Sequence, residues 1–325
     1  MAISFSQSME NHNNNVTEFI LLGIRMKKEI KIMCFVIFSV CYLTIILGNF
    51  IVFITITCSH LMQQPMYYFL CHLSLMDSCF TSAIIPRMIS DLISSKNTIS
   101  YNCCMTQLFA FHFLAGVEIF ILVSMAFDRY VAICKPLHYG TIVNRQRCNL
   151  LLLLSWVMGF WHSAGQLFTI LGLPFCGPNQ IDHYMCDSKV LLKLACTDTR
   201  VASILVIANS GMASLVTFLI LVASYIIILY HLRNHSSESR RKALSTCASH
   251  VMVVLFFFVP CIITYMPPSD TLNEKEFSVF YTVLSPMLNP LIYTLRNTEM
   301  KNAMRKVWFN KLTRIFKKNQ MNFHV

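Results

Sequence analysis

Charge is scarce in this sequence of 325 residues. Only 13% of the residues are Asp, Glu, Lys or Arg, whereas 55% are hydrophobic, and the mean hydropathy is +0.57. A water-soluble domain of this size would carry about 25% charged residues. Gaps between charges repeatedly exceed the roughly 20 residues that a helix needs to cross a bilayer. The sequence therefore excludes a soluble globular protein and predicts an integral membrane protein.

Several functional signatures are also missing. The sequence contains no catalytic-triad arrangement, phosphate-binding glycine loop or metal-hydrolase spacing, so we do not expect an enzyme. No apolar core followed by a small-residue cleavage site precedes the first apolar stretch, so no cleaved signal peptide is expected. No internal repeat is visible. A transporter would usually show such a repeat and a path lined by ionisable residues.

Seven apolar stretches are present instead, and they predict an all-α membrane protein with seven transmembrane helices. The N-terminal tail covers residues 1–31 and the C-terminal tail residues 296–325. The C-terminal tail begins as a basic amphipathic segment, which predicts a short helix on the membrane surface. The predicted transmembrane domain, 32–295, contains spans at about 32–57, 66–86, 104–129, 149–171, 201–231, 243–267 and 277–295.

The distribution of charge predicts the orientation. With the amino terminus outside, the inner segments hold 16 of the 26 Lys and Arg residues but only three of the 15 acidic residues. Positive charge accumulates on the cytoplasmic side of membrane proteins, so we expect an extracellular N-terminus. The Asn15-Val16-Thr17 sequence is then an N-glycosylation site at Asn15. The basic inner surface favours anionic lipid and an acidic protein as partners, not nucleic acid.

Five of the fourteen cysteines lie in predicted outer segments: Cys103, Cys104, Cys176, Cys186 and Cys196. The segment 173–200 is too polar to cross the membrane, and disulfides would stabilise it in an oxidising compartment. Five thiols can form two bridges, and sequence alone leaves their pairing open. His183 to Asp187 contains ligand types that bind copper or zinc. Because a disulfide at Cys186 would remove the best of these ligands, we expect no metal site.

Four polar residues lie at similar depth in four different spans: Asn49, Asp77, Glu118 and Asn289. Asp77 is about 16 Å inside the second span, where an acid is costly and usually functional. Two nearby carboxylates in a medium of low dielectric constant cannot both remain charged without a counter-ion. We therefore expect Asp77 and Glu118 to share a proton or to bind a cation such as sodium, and no other cofactor. The alternative is four polar residues that are satisfied separately.

The segment from Met125 to Tyr139 passes from an apolar span into an acid–base pair, Asp128-Arg129, and then a basic loop containing a proline. One interpretation is an interfacial anchor, because both groups can be charged where water begins. The other is a conformational switch, in which the pair holds the cytoplasmic face closed and Arg129 contacts a partner when the helices move.

This segment resembles the end of the third helix and the second inner loop of olfactory receptors, a branch of the rhodopsin-like G-protein-coupled receptors. The resemblance extends from about residue 17 to residue 310. Further matching motifs occur in the same order as in the family, namely Pro65-Met66-Tyr67, Leu73 to Asp77, Ser224-Tyr225, Lys242 to His250 and Pro286 to Tyr293. It implies a rhodopsin-like bundle in the plasma membrane that binds an odorant. It also implies coupling to a Gs-type olfactory G protein, which raises cyclic AMP, and trafficking chaperones as further partners.

The resemblance also assigns roles to residues. It implies the disulfides Cys104–Cys186 and Cys176–Cys196, with Cys103 left over. It places coupling and switching at the inner face, on Asp128, Arg129, Tyr130, Tyr225, Arg240, Arg241, Lys242, Asn289, Pro290 and Tyr293. Prolines in the last two spans would let the helix ends swing, although simple static bending is the alternative.

A ligand pocket is expected in the outer half of the bundle. Leu108, Phe111, His112, Ala115 and Gly116 recur with helical spacing on one face of the third span. Residues at similar depth on other spans complete the predicted lining: Val206, Asn209, Ser210, Cys261, Ile262, Tyr265, Val279 and Thr282. Ordinary packing between helices is the alternative for each of them.

The chemistry of the predicted pocket narrows the ligand class. Phe111 stands where amine receptors usually carry aspartate, and the seventh span has no lysine for retinal. A small, largely apolar odorant therefore fits best, with His112 or Tyr265 as its polar contact. The alternative function is a rhodopsin-like receptor for a small metabolite that is not an odorant.

Overall fold

A computed structural model describes residues 16–23, 27–94, 97–233, 236–266, 274–295 and 297–308. The predicted glycosylation site Asn15, residues 309–325 of the C-terminal tail and the last residue of the predicted sixth span, Pro267, lie outside these ranges. The described chain is mostly helical. Its helices are α1 (Lys28–Thr57), α2 (Pro65–Ile93), α3 (Tyr101–Cys134), α4 (Tyr139–Ile142), α5 (Arg145–Leu171), α6 (Ser188–Leu192), α7 (Arg200–Val206), α8 (Ala213–Leu232), α9 (Ser237–Tyr265), α10 (Glu274–Val279), α11 (Ser285–Leu295) and α12 (298–308).

Seven of these segments form the bundle. Within the described residues, α1, α2, α3, α5, the continuous α7–α8 helix and α9 are each long and apolar enough to cross a membrane. The seventh consists of α10 and α11, joined by a π-helical turn at Phe280–Leu284. A second π-helical turn, Ile207–Met212, joins α7 to α8. The predicted seven-helix bundle is confirmed.

The helices extend beyond the predicted spans. For example, α2 ends at Ile93 rather than near residue 86, and α3 begins at Tyr101 and ends at Cys134. Hydropathy detects only the part of a helix within the hydrocarbon, whereas backbone hydrogen bonding continues into the polar interface. Pro86 lies inside α2, because neighbouring helices and local adjustments satisfy the backbone groups that a proline frees.

The outer surface of the bundle is apolar. On α1, Leu43, Leu47 and Phe50 are exposed, while Ile45 and Val52 are fully buried against the other helices. In water such a surface would be an aggregation hazard. In a bilayer it faces lipid tails, as the low charge of the sequence predicts.

The third helix, α3, packs closely on α5 because two glycines meet. A β-carbon on Gly116 would lie 2.9 Å from the Cα atom of Gly159, and one on Gly159 would lie 2.6 Å from a methyl carbon of Val117. Small residues let membrane helices approach closely, since packing replaces the hydrophobic effect in lipid. This contact fixes the two helices at mid-bundle.

At one end of the bundle lies a small three-stranded sheet that the sequence analysis did not predict. Strand β1 (Glu18–Leu21) lies between β2 (Thr98–Ser100), which is antiparallel to it, and β3 (Gln180–Ile181), which is parallel to it. The strands are too short to show an alternating pattern in the sequence. They tie the chain before α1 to the loop before α3 and to the long loop after α5.

Two disulfides fix the long loop. Cys104 near the start of α3 is bonded to Cys186, and Cys176 is bonded to Cys196 within the loop. These are the pairs that the resemblance implied. Cys103 is a free, exposed thiol. The end of the bundle that carries the disulfides is called the outer end below, and the end that carries Asp128 the inner end.

Candidate functional site

The long loop after α5 enters the outer end of the bundle. The disulfide holds Cys186 against α3, and the backbone N–H of Cys186 donates a hydrogen bond to the Gln107 side chain at 3.0 Å. Asp187 then accepts a hydrogen bond from the backbone N–H of Lys189 at 3.0 Å and caps α6. All five residues of α6 are buried. The bridge therefore delivers Asp187 and the residues after it into the protein interior.

Asp187 is the centre of a buried polar cluster. Its side chain accepts a hydrogen bond from the Tyr265 hydroxyl at 2.5 Å and lies 3.9 Å from Nε2 of His112. The same His112 nitrogen is 3.0 Å from the Ser188 hydroxyl. These four residues, His112, Asp187, Ser188 and Tyr265, are called the Asp187 cluster below. The cluster joins α3, the loop and α9 within one set of hydrogen bonds.

A second contact ties the same loop to the outer end of α9. The Lys189 ammonium group is buried and donates a hydrogen bond to the backbone carbonyl of Thr264 at 2.7 Å. A cation at the C-terminal end of a helix is favourable, because the last carbonyls have no helical partner and carry partial negative charge. The outer end of α9 is thus held at two adjacent residues.

The loop also contacts the seventh span through His183 and Tyr184. The Tyr184 hydroxyl donates a hydrogen bond to Ser278 at 2.8 Å and lies 3.2 Å from the Thr282 hydroxyl. Burial lowers the pKa of His183 to about 4 and raises the pKa of Tyr184 to about 12. Both side chains are therefore neutral near pH 7 and act as hydrogen-bonding groups.

The structure divides the predicted ligand residues into groups. His112, Tyr265 and Thr282 meet around the inserted loop, and the Phe111 ring packs beside them against Phe80 and Tyr281 at centroid distances of 5.5 and 6.1 Å. Leu108 and Val206 belong to an apolar cluster under the small sheet. The main core holds Cys261, with Ala115, Ile262 and Val279 packed against it.

The three remaining predicted residues face α5. Ser210 accepts a hydrogen bond from Gln166 at 2.5 Å. Gly116 and Asn209 line a separate cavity between α3, α5 and the α7–α8 helix. The predicted set therefore does not surround one opening. The loop residues Tyr184, Asp187 and Ser188 occupy the space between His112, Tyr265 and Thr282.

The central position of Asp187 was not predicted from the sequence, where the stretch from His183 to Asp187 was considered only as a metal-binding candidate. A partial signal was nevertheless present, because the implied bridge from Cys186 to Cys104 brings the next residue to the outer turns of α3, and His112 lies about 12 Å below Cys104. The bridge alone does not fix the direction of the chain after Cys186, so the contact between Asp187 and His112 could not be predicted from it.

The four polar residues predicted at mid-depth are all buried. The Asn289 amide donates hydrogen bonds to both Asp77 oxygens, at 2.9 and 3.2 Å. Asn49 donates to the backbone carbonyl of Pro286, one turn from Asn289 on α11. Both carboxylate oxygens of Glu118 are buried next to Asp77 and Asn289, but neither accepts a well-formed hydrogen bond from a described donor. The amide oxygens of Asn49 and Asn289 also lack a donor among the described residues. The site is thus rich in unpaired oxygen acceptors.

The inner end of α3 is held by an ion pair. Arg129 donates hydrogen bonds to Asp128 at 2.6 and 3.1 Å, and the Tyr139 hydroxyl donates to the other Asp128 oxygen at 2.7 Å. Asp128 is fully buried. Burial and the Asp128 charge raise the pKa of Tyr139, so its hydroxyl stays protonated and remains a donor. The arginine is therefore occupied within its own helix.

Other predicted coupling residues surround this pair. Tyr225 on α8 is hydrogen-bonded to Nδ1 of His250 on α9. Tyr293 is buried, and Pro290 packs against Gly48 of α1. Arg240 and Arg241 are exposed at the start of α9, Tyr130 is half-buried, and the Lys242 side chain lies outside the described residues. Leu137, in the turn after α3, is 94% exposed.

The bundle, the loop bridged to α3 and the Asp-Arg pair at the inner end of α3 together define a rhodopsin-like, seven-helix receptor of the multi-pass membrane class. Comparison with known proteins then gives the family. The family profile described as olfactory receptor matches residues 38–311.

Two relatives illustrate the similarity. The chain is 56% identical to human olfactory receptor 4S2 over 296 residues, which cover 91% of this chain and 95% of that protein. It is 53% identical to mouse olfactory receptor 4B13 over 301 residues, which cover 92% and 99% of the two chains. The chain belongs to the olfactory receptor family, whose members are receptors rather than enzymes.

Proposed function

We propose that this receptor binds a small, largely apolar odorant at the outer end of the bundle. We also propose that the receptor lies in the plasma membrane with its N-terminus outside, and that it activates a Gs-type olfactory G protein, which raises cyclic AMP. The Asp187 cluster is the observation that carries this proposal. It is a buried group of hydrogen-bonding side chains beside aromatic rings, which is the composition of a small-molecule site.

The cluster also suggests how a ligand acts. A polar group on an odorant would take over the Tyr265 or His112 hydrogen bond now made to the loop. This exchange would loosen the outer end of α9. A ligand shifts a conformational equilibrium only through such a difference in its contacts with the two states.

The inner end of the bundle is where the receptor would contact the G protein. Tyr225 and His250 join α8 to α9, and Pro260 lies inside α9 between this contact and Tyr265. Release of the outer end would let the inner half of α9 swing and free Arg129 for the G protein. The exposed Leu137 and the basic inner segments give an acidic partner both an apolar and an electrostatic contact.

The mid-depth acids form a second part of the proposal. The unpaired oxygens of Glu118, Asn289 and Asn49 beside Asp77 fit a hard cation, because such cations bind oxygen ligands. Sodium would hold the inactive bundle together, and a proton shared by the two acids is the alternative.

The sodium concentration dependence of basal cyclic AMP tests this site. If sodium binds there, raising the sodium concentration at constant ionic strength lowers basal cyclic AMP, and Glu118→Gln removes that dependence. If basal cyclic AMP depends on sodium equally in Glu118→Gln and in the wild type, the cation site is contradicted.

The odorant site is tested with a panel of small neutral odorants and a cyclic AMP readout. For an agonist found in the panel, His112→Ala and Tyr265→Phe are expected to reduce potency by roughly fivefold to tenfold, the equivalent of about 1 kcal/mol for a lost hydrogen bond. Tyr230→Phe is the matched control, because the Tyr230 side chain is 76% exposed and lies near the opposite, inner end of α8.

Surface expression is measured for every variant. Unchanged potency of several agonists on both His112→Ala and Tyr265→Phe, at normal surface expression, removes the Asp187 cluster from the odorant site. A response to non-odorant metabolites alone contradicts the odorant assignment and favours the alternative receptor.

A further inference from the structure

A cavity of about 260 Å³ lies on the side of the bundle, between α3, α5 and the α7–α8 helix. Trp161 and Met158 on its rim are exposed, and in a membrane these side chains face lipid. The cavity therefore opens towards the bilayer rather than towards the loops. Its lining contains no charged residue and includes Ile119, Phe120, Trp161, His162, Asn209 and Ala213.

The π-helical turn at Ile207–Met212 builds the polar side of this cavity. Such turns insert one extra residue and occur frequently at functional sites. Here Asn209 contacts His162 on α5 twice. Its amide nitrogen donates to the His162 backbone carbonyl at 2.9 Å, and its oxygen lies 3.1 Å from Nδ1 of the His162 ring.

These two contacts fix the hydrogen-bonding character of His162. Because the Asn209 nitrogen must face a carbonyl, the Asn209 oxygen faces the ring, and Nδ1 of His162 must carry the proton. In a neutral imidazole the other nitrogen, Nε2, is then an acceptor. The one hydrogen bond that the His162 ring makes to the described residues is on Nδ1. Nε2 is not among their fully buried unpaired polar atoms, so it remains accessible from the cavity that His162 lines. The cavity thus offers an acceptor to a ligand that carries a donor.

We propose that this cavity is a second ligand site, which takes a small neutral alcohol or phenol from the bilayer. The ligand hydroxyl donates a hydrogen bond to Nε2 of His162, and its apolar part lies against Ile119, Phe120 and Trp161. A cavity of about 150 Å³ holds benzene, so this one holds about ten non-hydrogen atoms. The uncharged lining at mid-bilayer excludes ions and lipid headgroups.

The site is separate from the Asp187 cluster but next to it. The His162 and His112 rings are 5.7 Å apart, so an occupant that orders His162 acts one ring away from the odorant site. Coupling between two sites is reciprocal. The binding of the alcohol nevertheless does not depend on odorant binding or on G-protein coupling, so it can be measured in the receptor alone.

The test uses the purified receptor in phosphatidylcholine nanodiscs and two photoreactive probes. One is a diazirine-bearing aliphatic alcohol of about ten non-hydrogen atoms, and the other is its methyl ether, which lacks the donor. Labelled positions are mapped by mass spectrometry. We expect the alcohol to label residues 116–120, 158–162 and 213–217 at least tenfold more than the ether does.

Three variants test whether the labelling depends on the His162 acceptor and on the space in the cavity. His162→Phe keeps a ring but removes the acceptor, and it should abolish the preference for the alcohol. Ala213→Phe fills the cavity and should reduce labelling by both probes, with His162 intact. Leu219→Phe is the control, because Leu219 is exposed on the same helix but does not line the cavity, and it should label as the wild type does.

Two outcomes overturn the proposal. One is equal labelling by alcohol and ether, or labelling spread evenly over the lipid-facing residues of α1 and α8. The other is an undiminished preference for the alcohol in His162→Phe. If His162→Phe does not fold, as judged by gel filtration, undiminished labelling of Ala213→Phe decides against the site. Cyclic AMP is not measured, so a failure here is distinct from a failure of the proposed odorant function.

Discussion

At the inner end of α3, the buried Asp128 carboxylate accepts hydrogen bonds from both Arg129 and Tyr139. In the proposed mechanism, Arg129 is released to the partner only when its pairing with Asp128 is broken. The mechanism therefore assigns a part in closing the inner face to Tyr139 as well as to the acid–base pair. Tyr139 is part of the segment from Met125 to Tyr139 that the sequence singled out, but its contact with Asp128 was not predicted.

Tyr139→Phe tests this contact. Loss of one hydrogen bond to a charged, buried carboxylate costs about 1.5 to 3 kcal/mol, which shifts the equilibrium towards the open state by roughly tenfold or more. We expect basal cyclic AMP to rise several-fold at equal surface expression, up to the maximal response of the assay. Tyr230→Phe should leave it unchanged, since that side chain is exposed and does not contact Asp128. Basal signalling at or below the wild-type value in Tyr139→Phe argues against the lock.

His183 predicts a pH dependence of stability on the loop side. Burial lowers its pKa from 6.5 to about 4, while the charges of Asp187 and Asp182 act in the opposite direction and those of Lys275 and Lys193 lower it further. Between pH 6.5 and 4 the unfolded chain binds a proton that the folded loop does not. Stability therefore falls as the pH drops through this window, by about 3 kcal/mol in total, and levels off below it.

Thermal unfolding of the purified receptor at several pH values between 7.5 and 4 measures the effect. His183→Gln should flatten part of the slope, and His138→Gln, at an exposed position of the inner loop, should not. An unchanged slope in His183→Gln shows that this histidine is not the group that titrates.

At the scale of elements, the positions of the helices could be predicted from hydropathy, whereas the conformations of the loops could not. Seven apolar stretches predicted the seven spans, because each must satisfy its own backbone within lipid. The small sheet and the two π-helical turns were missed, since strands of two to four residues and one-residue insertions leave no periodic pattern. The path of the long loop into the bundle also depends on contacts distant in sequence, such as Tyr265 with Asp187.

The long loop gives a prediction of its own. Its insertion depends on the Cys104–Cys186 bridge, which holds Asp187 beside α3. Cys104→Ser or Cys186→Ser should each abolish delivery to the cell surface, because the loop would leave polar residues of the bundle unpaired. The neighbouring free thiol supplies the control, and Cys103→Ser should reach the surface normally. Cell-surface labelling measures all three, and normal delivery of either bridge variant contradicts the structural role of this disulfide.

At the scale of the whole molecule, the contacts on α9 suggest one mechanical unit. Its outer end is held by Asp187 and Lys189 of the loop, and its inner half by Tyr225. A ligand that weakens the outer contacts changes the balance at the inner end, provided that α9 moves as a two-state element. The fold class and the position of Arg129 were predictable from motifs. The contacts of Asp187 and Lys189 with the outer end of α9 were not predictable, because they are made by a loop whose path the sequence does not show.

The most direct test of this account is a cyclic AMP response to an odorant panel in cells that express the receptor. The account predicts that at least one small, largely apolar odorant raises cyclic AMP, and that Arg129→Ala abolishes the response while the receptor still reaches the cell surface. Undiminished signalling by Arg129→Ala, or uptake of the compounds into the cell without any cyclic AMP response, would contradict it.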